Sequence, residues 1–267
     1  MEIEGKRVLL TGATGGLGCA IAHALAERGA NLVLSSRKRE ELDALALELA
    51  GDRHSVVVSD LAEPGAAEGL AADAGGVEIL VANAALPGSG RLESYSAEQV
   101  ARAVRVNLEA PMILTRALLP AMHEAGGGHL LFVSSLAGKA ASPQASIYNA
   151  TKFGLRGFAL ALREDLAGDG SGIGVSVVMP GFIRGAGMFA DSGAPPPPGV
   201  GTGTPEQVGA GVVSAIERNR AEVAVAPLRQ RALTSFAHVF PGVAGRAQRG
   251  MGTKVAETLA RGQTDKR

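Results

Sequence analysis

The chain alternates short apolar runs with longer stretches in which apolar positions recur every three or four residues. The runs are Arg7–Leu10, Asn31–Ser35, Ser55–Ser59, Glu78–Ala82, His129–Ser135, Gly174–Met179 and Glu222–Ala226. They are rich in Val, Ile and Leu without strict alternation, the pattern of strands covered on both faces. The longer stretches, Leu17–Arg28, Arg39–Leu49, Gly65–Ala74, Ala97–Ala125, Ser146–Ala167 and Pro205–Asn219, have the helical period. Strand and helix in turn predict right-handed crossovers and a doubly wound, Rossmann-type α/β fold. Such a fold has a parallel sheet, here of about seven strands, with helices on both faces.

Two segments depart from this rhythm. Gly185–Gly203 holds six glycines and the run Pro195–Pro198, a composition that predicts no regular element. It reads as a mobile flap, followed by a helix opened by the N-cap Thr204 and by Pro205. From Leu228 to Arg267, eight Lys and Arg stand against two acids. Within this stretch Leu233, Phe236, Ala237 and Phe240 share one helical face, opposite Arg231, Ser235 and His238. The extension 228–267 reads as helical, closing the substrate side of the molecule. A membrane-surface role, or an apolar acyl or polycyclic substrate held by this face, are the alternatives. Residues 1–267 are expected to form one domain.

Composition narrows the classes. Of 267 residues, 46% are apolar and 19% charged, which excludes disorder as the dominant state. The 26 basic and 26 acidic residues cancel, aromatics are 3% and Trp is absent. Neither the basic field nor the stacking platform of a nucleic-acid binder is present. One cysteine, Cys19, excludes an intrachain disulfide framework. The five histidines are scattered without ligand spacing, so no metal is expected. No stretch approaches the ~20 apolar residues of a membrane span, and the N-terminus lacks a signal-peptide pattern. A cytoplasmic protein without membrane association is the expectation.

The chemistry lies at the ends of the strands. The first runs into Thr11–Gly18, TGATGGLG, and then into a helix. Glycines there let backbone N–H groups approach a phosphate, and the helix N-terminus favours an anion. At the end of the second strand stand Ser35, Ser36 and Arg37, with no carboxylate before Glu40. A guanidinium suits a 2′-phosphate, so NADP(H) is preferred over NAD(H), although a solvated charge at a strand end looks the same. Asp60 ends the third strand and would bond adenine or cap a helix. Tyr148 and Lys152, in YNATK, share one helical face, and Ser135 ends the fifth strand. A phenol has a pKa of about 10, which a nearby ammonium lowers. A tyrosine, an ammonium and a hydroxyl beside a dinucleotide make a proton-transfer site.

This constellation resembles the short-chain dehydrogenase/reductase (SDR) family in its compact, single-domain branch. The residues are TGATGGLG at 11–18, Asp60, ANAA at 82–85, Asn107 in VRVNLEAP, LFVSS at 131–135, YNATK at 148–152 and PG at 180–181. The resemblance implies that Gly12, Gly16 and Gly18 hold the cofactor phosphates, with Thr14 and Leu17 in the same turn. Ser36, Arg37, Asp60 and Leu61 would flank the adenosine. Asn83 would support the sheet edge near the cofactor, and Asn107 would join a water relay through Lys152. Ser135 would orient the substrate carbonyl, and Tyr148 would be the acid/base. Lys152 would also bind the nicotinamide ribose, and Ile183, after Pro180 and Gly181, would lie against the carboxamide.

Three departures stand out. ANAA replaces the usual NNAG, so Ala82 and Ala85 stand at a polar and a glycine position. The threonine usual soon after PG is absent, and another group must act there. Gly15 makes the turn fit both TGxxxGxG and the TGxxGxxG of the extended branch; chain length and the contexts of Ser135, Asn107 and Pro180 favour the compact one. The expected function is hydride transfer between NADP(H) and a small carbonyl or alcohol substrate, apolar if the tail contributes, in a homodimer or homotetramer. Another SDR-type reaction such as epimerisation, or an NADP-sensing binding protein, are the alternatives. The flap is expected to close over the nicotinamide.

Overall fold

The computed structural model describes residues 1–191, 193 and 199–251. The Pro195–Pro198 run and the tail beyond 251 therefore lie outside the described residues. In chain order the elements are β1 (Arg7–Thr11), α1 (Gly16–Ala26), β2 (Asn31–Ser36), α2 (Arg39–Glu48), β3 (Ser55–Val58), α3 (Ala66–Ala74), β4 (Ile79–Ala82), α4 (Ala97–Val104) and α5 (Ala110–Glu124). There follow β5 (Gly128–Val133), α6 (Ser146–Gly168), β6 (Ile173–Pro180), α7 (Gly187–Asp191), α8 (Pro205–Glu217), β7 (Glu222–Val225), α9 (Leu228–Val239) and α10 (Pro241–Met251).

The seven strands form one parallel sheet in the order β3-β2-β1-β4-β5-β6-β7. The order reverses between β1 and β4, the place where a doubly wound sheet opens a crevice at its carboxyl edge. Alternate strand residues enter two separate cores, which explains the runs without alternation. Val8, Leu10, Leu32 and Leu34 pack under α1, α2 and α8. Leu9, Val33, Leu80 and Phe132 pack under α3, α5 and α6.

The sequence boundaries hold to within a few residues, with three corrections. The helix predicted over Ala97–Ala125 is broken by a π-helical turn, Arg105–Glu109, between α4 and α5. Pro111 explains it: proline has no N–H to offer the Asn107 carbonyl four residues back, and its ring would strike it. The chain widens by one residue, and the Ala110 amide bonds to the Arg105 carbonyl instead. Secondly, the fifth strand stops at Val133, and Ser135 leaves the sheet to cap a short 3₁₀ turn, Leu136–Gly138. Thirdly, the segment expected to have no regular element contains α7. Phe189 of this short helix packs on Phe182, ring centroids 4.7 Å apart, and Gly187 lies against Leu17. Its base is fixed by a parallel bridge between Ile183 and Gly203. No helix among the described residues is long and apolar enough to cross a membrane.

One buried group gives the fold an acid limit. His129, in β5, is almost fully buried and shares a 2.9 Å hydrogen bond with the Ser176 hydroxyl. Burial pushes its pKa down from 6.5 to about 3. The folded state therefore refuses a proton that the unfolded chain accepts. The stability this residue contributes is complete above pH 6.5 and is lost as the pH falls toward 3, at most about 1.4 kcal/mol per pH unit. Urea melts between pH 6.5 and 4 should show wild-type protein losing more stability than His129→Gln; equal losses would contradict this.

Candidate active site

The crevice begins at the glycine turn. Gly12 has φ +65°, and a Cβ there would lie 2.8 Å from the Ala84 backbone. A Cβ on Gly18 would stand 2.1 Å from the Gly12 carbonyl oxygen, and one on Gly16 2.6 Å from the Ala186 Cβ. Gly15, by contrast, meets only the Gly12 carbonyl at an ordinary 3.4 Å. The positions that must be glycine are those of TGxxxGxG, which settles the ambiguity left by the sequence. Helix α1 then starts at Gly16 with no side-chain cap, leaving its first amides turned toward the crevice mouth.

The next loop is sewn to this turn. The Thr11 hydroxyl accepts from the amides of Asn83 and Ala84, each at 3.1 Å. The Asn83 amide group donates to the carbonyls of Thr11 and Gly12 at 3.0 and 3.1 Å. Asn83 thus supports the sheet edge by itself, and the alanines at 82 and 85 do not disturb it.

At the end of β2 the Ser36 hydroxyl is buried without a partner among the described residues, and Arg37 beside it is exposed. Lys38 and Arg39 are paired with Glu41 and Asp43, whereas Arg37 makes no ion pair among the described residues. An unmet hydroxyl beside an unpaired guanidinium suits a phosphate ester. The Asp60 carboxylate accepts from the Ala62 amide at 3.0 Å, closing a turn in the loop after β3; it does not cap α3, whose N-cap is Gly65 without a side-chain bond. Leu61 is buried. The Thr14 hydroxyl lies within hydrogen-bond reach of Glu41.

The other half of the crevice is built on α6. Lys152 is 2% exposed and donates to the Val133 carbonyl at 2.8 Å. Burial brings its pKa down from 10.5 to about 8. Its ammonium lies 5.8 Å from the centre of the Tyr148 ring. Burial raises the Tyr148 pKa above its usual 10, and the neighbouring Ser135 hydroxyl lowers it in part. The expectation that Lys152 holds the phenol below its ordinary value is therefore corrected: the ammonium faces the Val133 carbonyl, and loss of water dominates. The Ser135 hydroxyl also accepts from the Ala137 amide at 3.1 Å and donates to the Pro180 carbonyl at 3.4 Å. This last contact ties the Ser135 turn to the Pro180–Gly181 turn.

Asn107 is fully buried in the π turn. It accepts from the Leu86 amide at 2.6 Å and donates to the Leu86 carbonyl at 2.9 Å. It also donates to the Thr151 hydroxyl of α6, at 3.3 Å, one residue before Lys152. At Ile183 the bridge to Gly203 uses the Phe182 carbonyl and the Arg184 amide. The peptide groups of Ile183 therefore turn the other way. Ala186 and Gly187 rest on Gly16 and Leu17, so the start of the flap lies over the glycine turn.

Several positions escaped the sequence reading. Asn149 donates to the carbonyls of Ala137 and Ala140 at 2.6 and 3.2 Å, fastening the loop after Ser135 to α6. A buried Asn next to Tyr148 in YNATK was the available signal. Gly88 approaches Tyr148 so closely that a Cβ would stand 2.8 Å from its amide nitrogen. Helix α9 crosses from Gly181, against which Gln230 packs, to Lys139, whose carbonyl meets His238 at 3.0 Å. It thus links the loops that follow β6 and β5, and Leu233, Phe236 and Phe240 stay about half exposed.

Comparison with known proteins gives concordant results. A family model described as short chain dehydrogenase matches residues 6–196. The chain is 37% identical over 229 residues to "Ketoacyl reductase HetN" of Nostoc sp., covering 84% of this chain and 79% of that protein. It is 36% identical over 189 residues to human "Dehydrogenase/reductase SDR family member 4", covering 68% and 67%. The structure of a short-chain dehydrogenase from Sphingobium yanoikuyae in complex with NADPH superposes with a TM-score of 0.76 at 26% identity, over 93% of this chain and 96% of that one.

The glycine geometry makes a paired expectation. Gly18→Ala should lower the melting temperature by several degrees and abolish measurable nucleotide binding, because its clash is with backbone. Gly15→Ala should melt within about one degree of wild type and bind normally, its contact being ordinary. Thermal melts with NADPH fluorescence titration check both; tolerance of Gly18→Ala would contradict the reading.

Proposed function

The chain belongs to the short-chain dehydrogenase/reductase family of oxidoreductases, and on that premise we propose that it is an NADP(H)-preferring carbonyl reductase or alcohol dehydrogenase with Tyr148 as its acid/base. The observation that carries the proposal is the meeting of Ser135, Tyr148 and Lys152 at the carboxyl edge of β5, beside the glycine turn. The family uses NAD(P)(H). The glycine turn and the unmet Ser36 hydroxyl fit such a dinucleotide.

When bound, the nicotinamide supplies or accepts the hydride. Gly12, Gly16, Gly18, Thr14 and Leu17 would cradle the pyrophosphate. Ser36 and Arg37 would take the 2′-phosphate, with Asp60 and Leu61 beside the adenine. Ile183, after Pro180 and Gly181, would face the carboxamide, and Lys152 would reach the nicotinamide ribose. Ser135 polarises the substrate carbonyl by a hydrogen bond. Tyr148 delivers its proton to the carbonyl oxygen in reduction and takes it back in oxidation. Its raised pKa keeps that proton in place at neutral pH. Asn83 and Asn107 hold the two loops that frame this space. The similarity to the ketoacyl reductase of Nostoc sp. supports a carbonyl substrate.

We take the chain to work as one domain with a flap at 185–203 and a helical extension from 228, as a cytoplasmic homodimer or homotetramer. Met112 and Phe153, exposed on α5 and α6, are available to a second copy.

Three outcomes follow. Tyr148→Phe should lower kcat by about 10²–10⁴-fold with little change in NADPH affinity; near-wild-type turnover would sink the mechanism. The ratio of kcat/KM for NADPH over NADH should exceed one and invert in Arg37→Asp, since a carboxylate repels the phosphate and accepts from ribose hydroxyls; an unchanged ratio would show that Arg37 serves only solvent. Because the Lys152 pKa is depressed to about 8, its ammonium is present below that pH and lost above it. Reductive kcat/KM should therefore fall above about pH 8, and a profile flat to pH 10 would argue against a role for the cation.

A further inference from the structure

Helix α9 is amphipathic the wrong way round. Gln230 is its one buried residue, and Thr234 and Ala237, the next least exposed, share that inward side. The large apolar side chains point away from it: Leu228, Leu233, Phe236, Val239 and Phe240 are 47% to 78% exposed. At about 100° per residue these five fall within an arc of about 140°. The Phe236 and Phe240 rings stack with centroids 5.2 Å apart, and Val243 of α10 adds another exposed apolar side chain. The helix is tied down at both ends, by Gln230 on Gly181 and His238 on Lys139, so this face is a fixed part of the surface. Single exposed apolar residues need no explanation, but a contiguous row of them marks an interaction site.

Charge narrows the partner. The eight basic and two acidic residues of the extension leave 18 basic against 24 acidic residues in the first 227, so a positive tail follows a negative body. No Asp or Glu occurs from Leu228 to Ala256. Arg229 lies within the apolar arc and Arg231 beside it. With Arg246 of α10 they are exposed and make no ion pair among the described residues. A second copy docked here about a two-fold axis would set these arginines against their own counterparts. The chain beyond Met251 carries four Lys and Arg against Glu257 and Asp265, so it would add positive charge to the face. We infer that the outer face of α9 and α10 docks on an anionic lipid surface. Side chains this exposed form a ridge, which enters the acyl boundary of a bilayer while the arginines meet lipid phosphates. No membrane span is required, because the two helices lie in the plane of the interface. Helix α9 rests on the turns after β5 and β6, so docking sets the carboxyl edge of the sheet beside the lipid.

The test is sedimentation of the full chain with vesicles of phosphatidylcholine, or of phosphatidylcholine and phosphatidylglycerol in equal parts. It needs neither cofactor nor substrate, so its result is independent of the proposed reaction. Binding to the anionic vesicles should be at least about tenfold tighter than to the neutral ones and should weaken as salt is raised. Arg229→Gln, Arg231→Gln and Arg246→Gln together should weaken it about a hundredfold and remove the preference. Phe236→Ser with Phe240→Ser should weaken it about tenfold at unchanged charge. Both variants should keep the wild-type melting temperature, since the residues are exposed. If either does not fold, Phe236→Trp supplies the sole tryptophan of the chain, whose emission should move to shorter wavelength on anionic vesicles only. Absent or equal binding to the two vesicles, full binding by both variants, or an unmoved emission would overturn the inference. Poly-L-glutamate bound as tightly as the anionic vesicles, with the same dependence on the two phenylalanines, would assign the face to an acidic protein and overturn it too. A smaller oligomer in the phenylalanine variant, read by analytical ultracentrifugation, would make the face a contact between copies, with the same consequence.

Discussion

The buried bond from the Lys152 ammonium to the Val133 carbonyl holds the crevice together. It pins α6 to the last residue of β5, where the chain leaves the sheet and turns into Ser135. Further ties reinforce that seam. The Ser134 hydroxyl donates to the Lys152 carbonyl at 3.0 Å, and Asn149 gathers the carbonyls of Ala137 and Ala140. Gly138 allows the close approach, since a Cβ there would lie 2.6 Å from the Lys152 carbonyl oxygen. With the helix fixed in this way, Ser135 and Tyr148 meet although thirteen positions separate them in the chain.

Burying an ammonium on a single carbonyl is costly, and the depressed Lys152 pKa expresses that cost. The same loss of water raises the Tyr148 pKa, so the two groups are pushed in opposite directions and both favour their neutral forms. A protonated phenol is the correct starting state for giving a proton to a carbonyl. In the reverse direction the phenol must release its proton more readily. The positive charge of an oxidised nicotinamide would favour that change.

Much of this was legible in the sequence because it is carried by short-range pattern. Runs such as Val8–Leu10 predicted strands buried on both faces, and TGATGGLG, Asn83 and the Tyr148–Lys152 pair were readable as local motifs. What escaped depends on contacts between distant segments. The π turn at Asn107 follows from Pro111, whose effect on a helix is visible in sequence, but the Leu86 peptide that receives Asn107 is not. Which of Gly15 and Gly16 the turn requires is decided by Ala186, far along the chain. The sign of the Tyr148 shift depends on burial and on where the lysine points, neither of which spacing reveals. Gln230 lay in a helix whose apolar positions drew the reading, and its meeting with Gly181 exists only in three dimensions.

The chain has two tyrosines, Tyr95 and Tyr148, and no tryptophan. Ultraviolet difference titration of wild-type protein against Tyr148→Phe therefore reports the ionisation of Tyr148 alone. Without nucleotide, Tyr148 should titrate above 10, as its burial requires, and saturating NADP⁺ should bring the value down by at least about one unit. A Tyr148 that titrates at the same pH with and without NADP⁺ would contradict the claim that this phenol exchanges the proton.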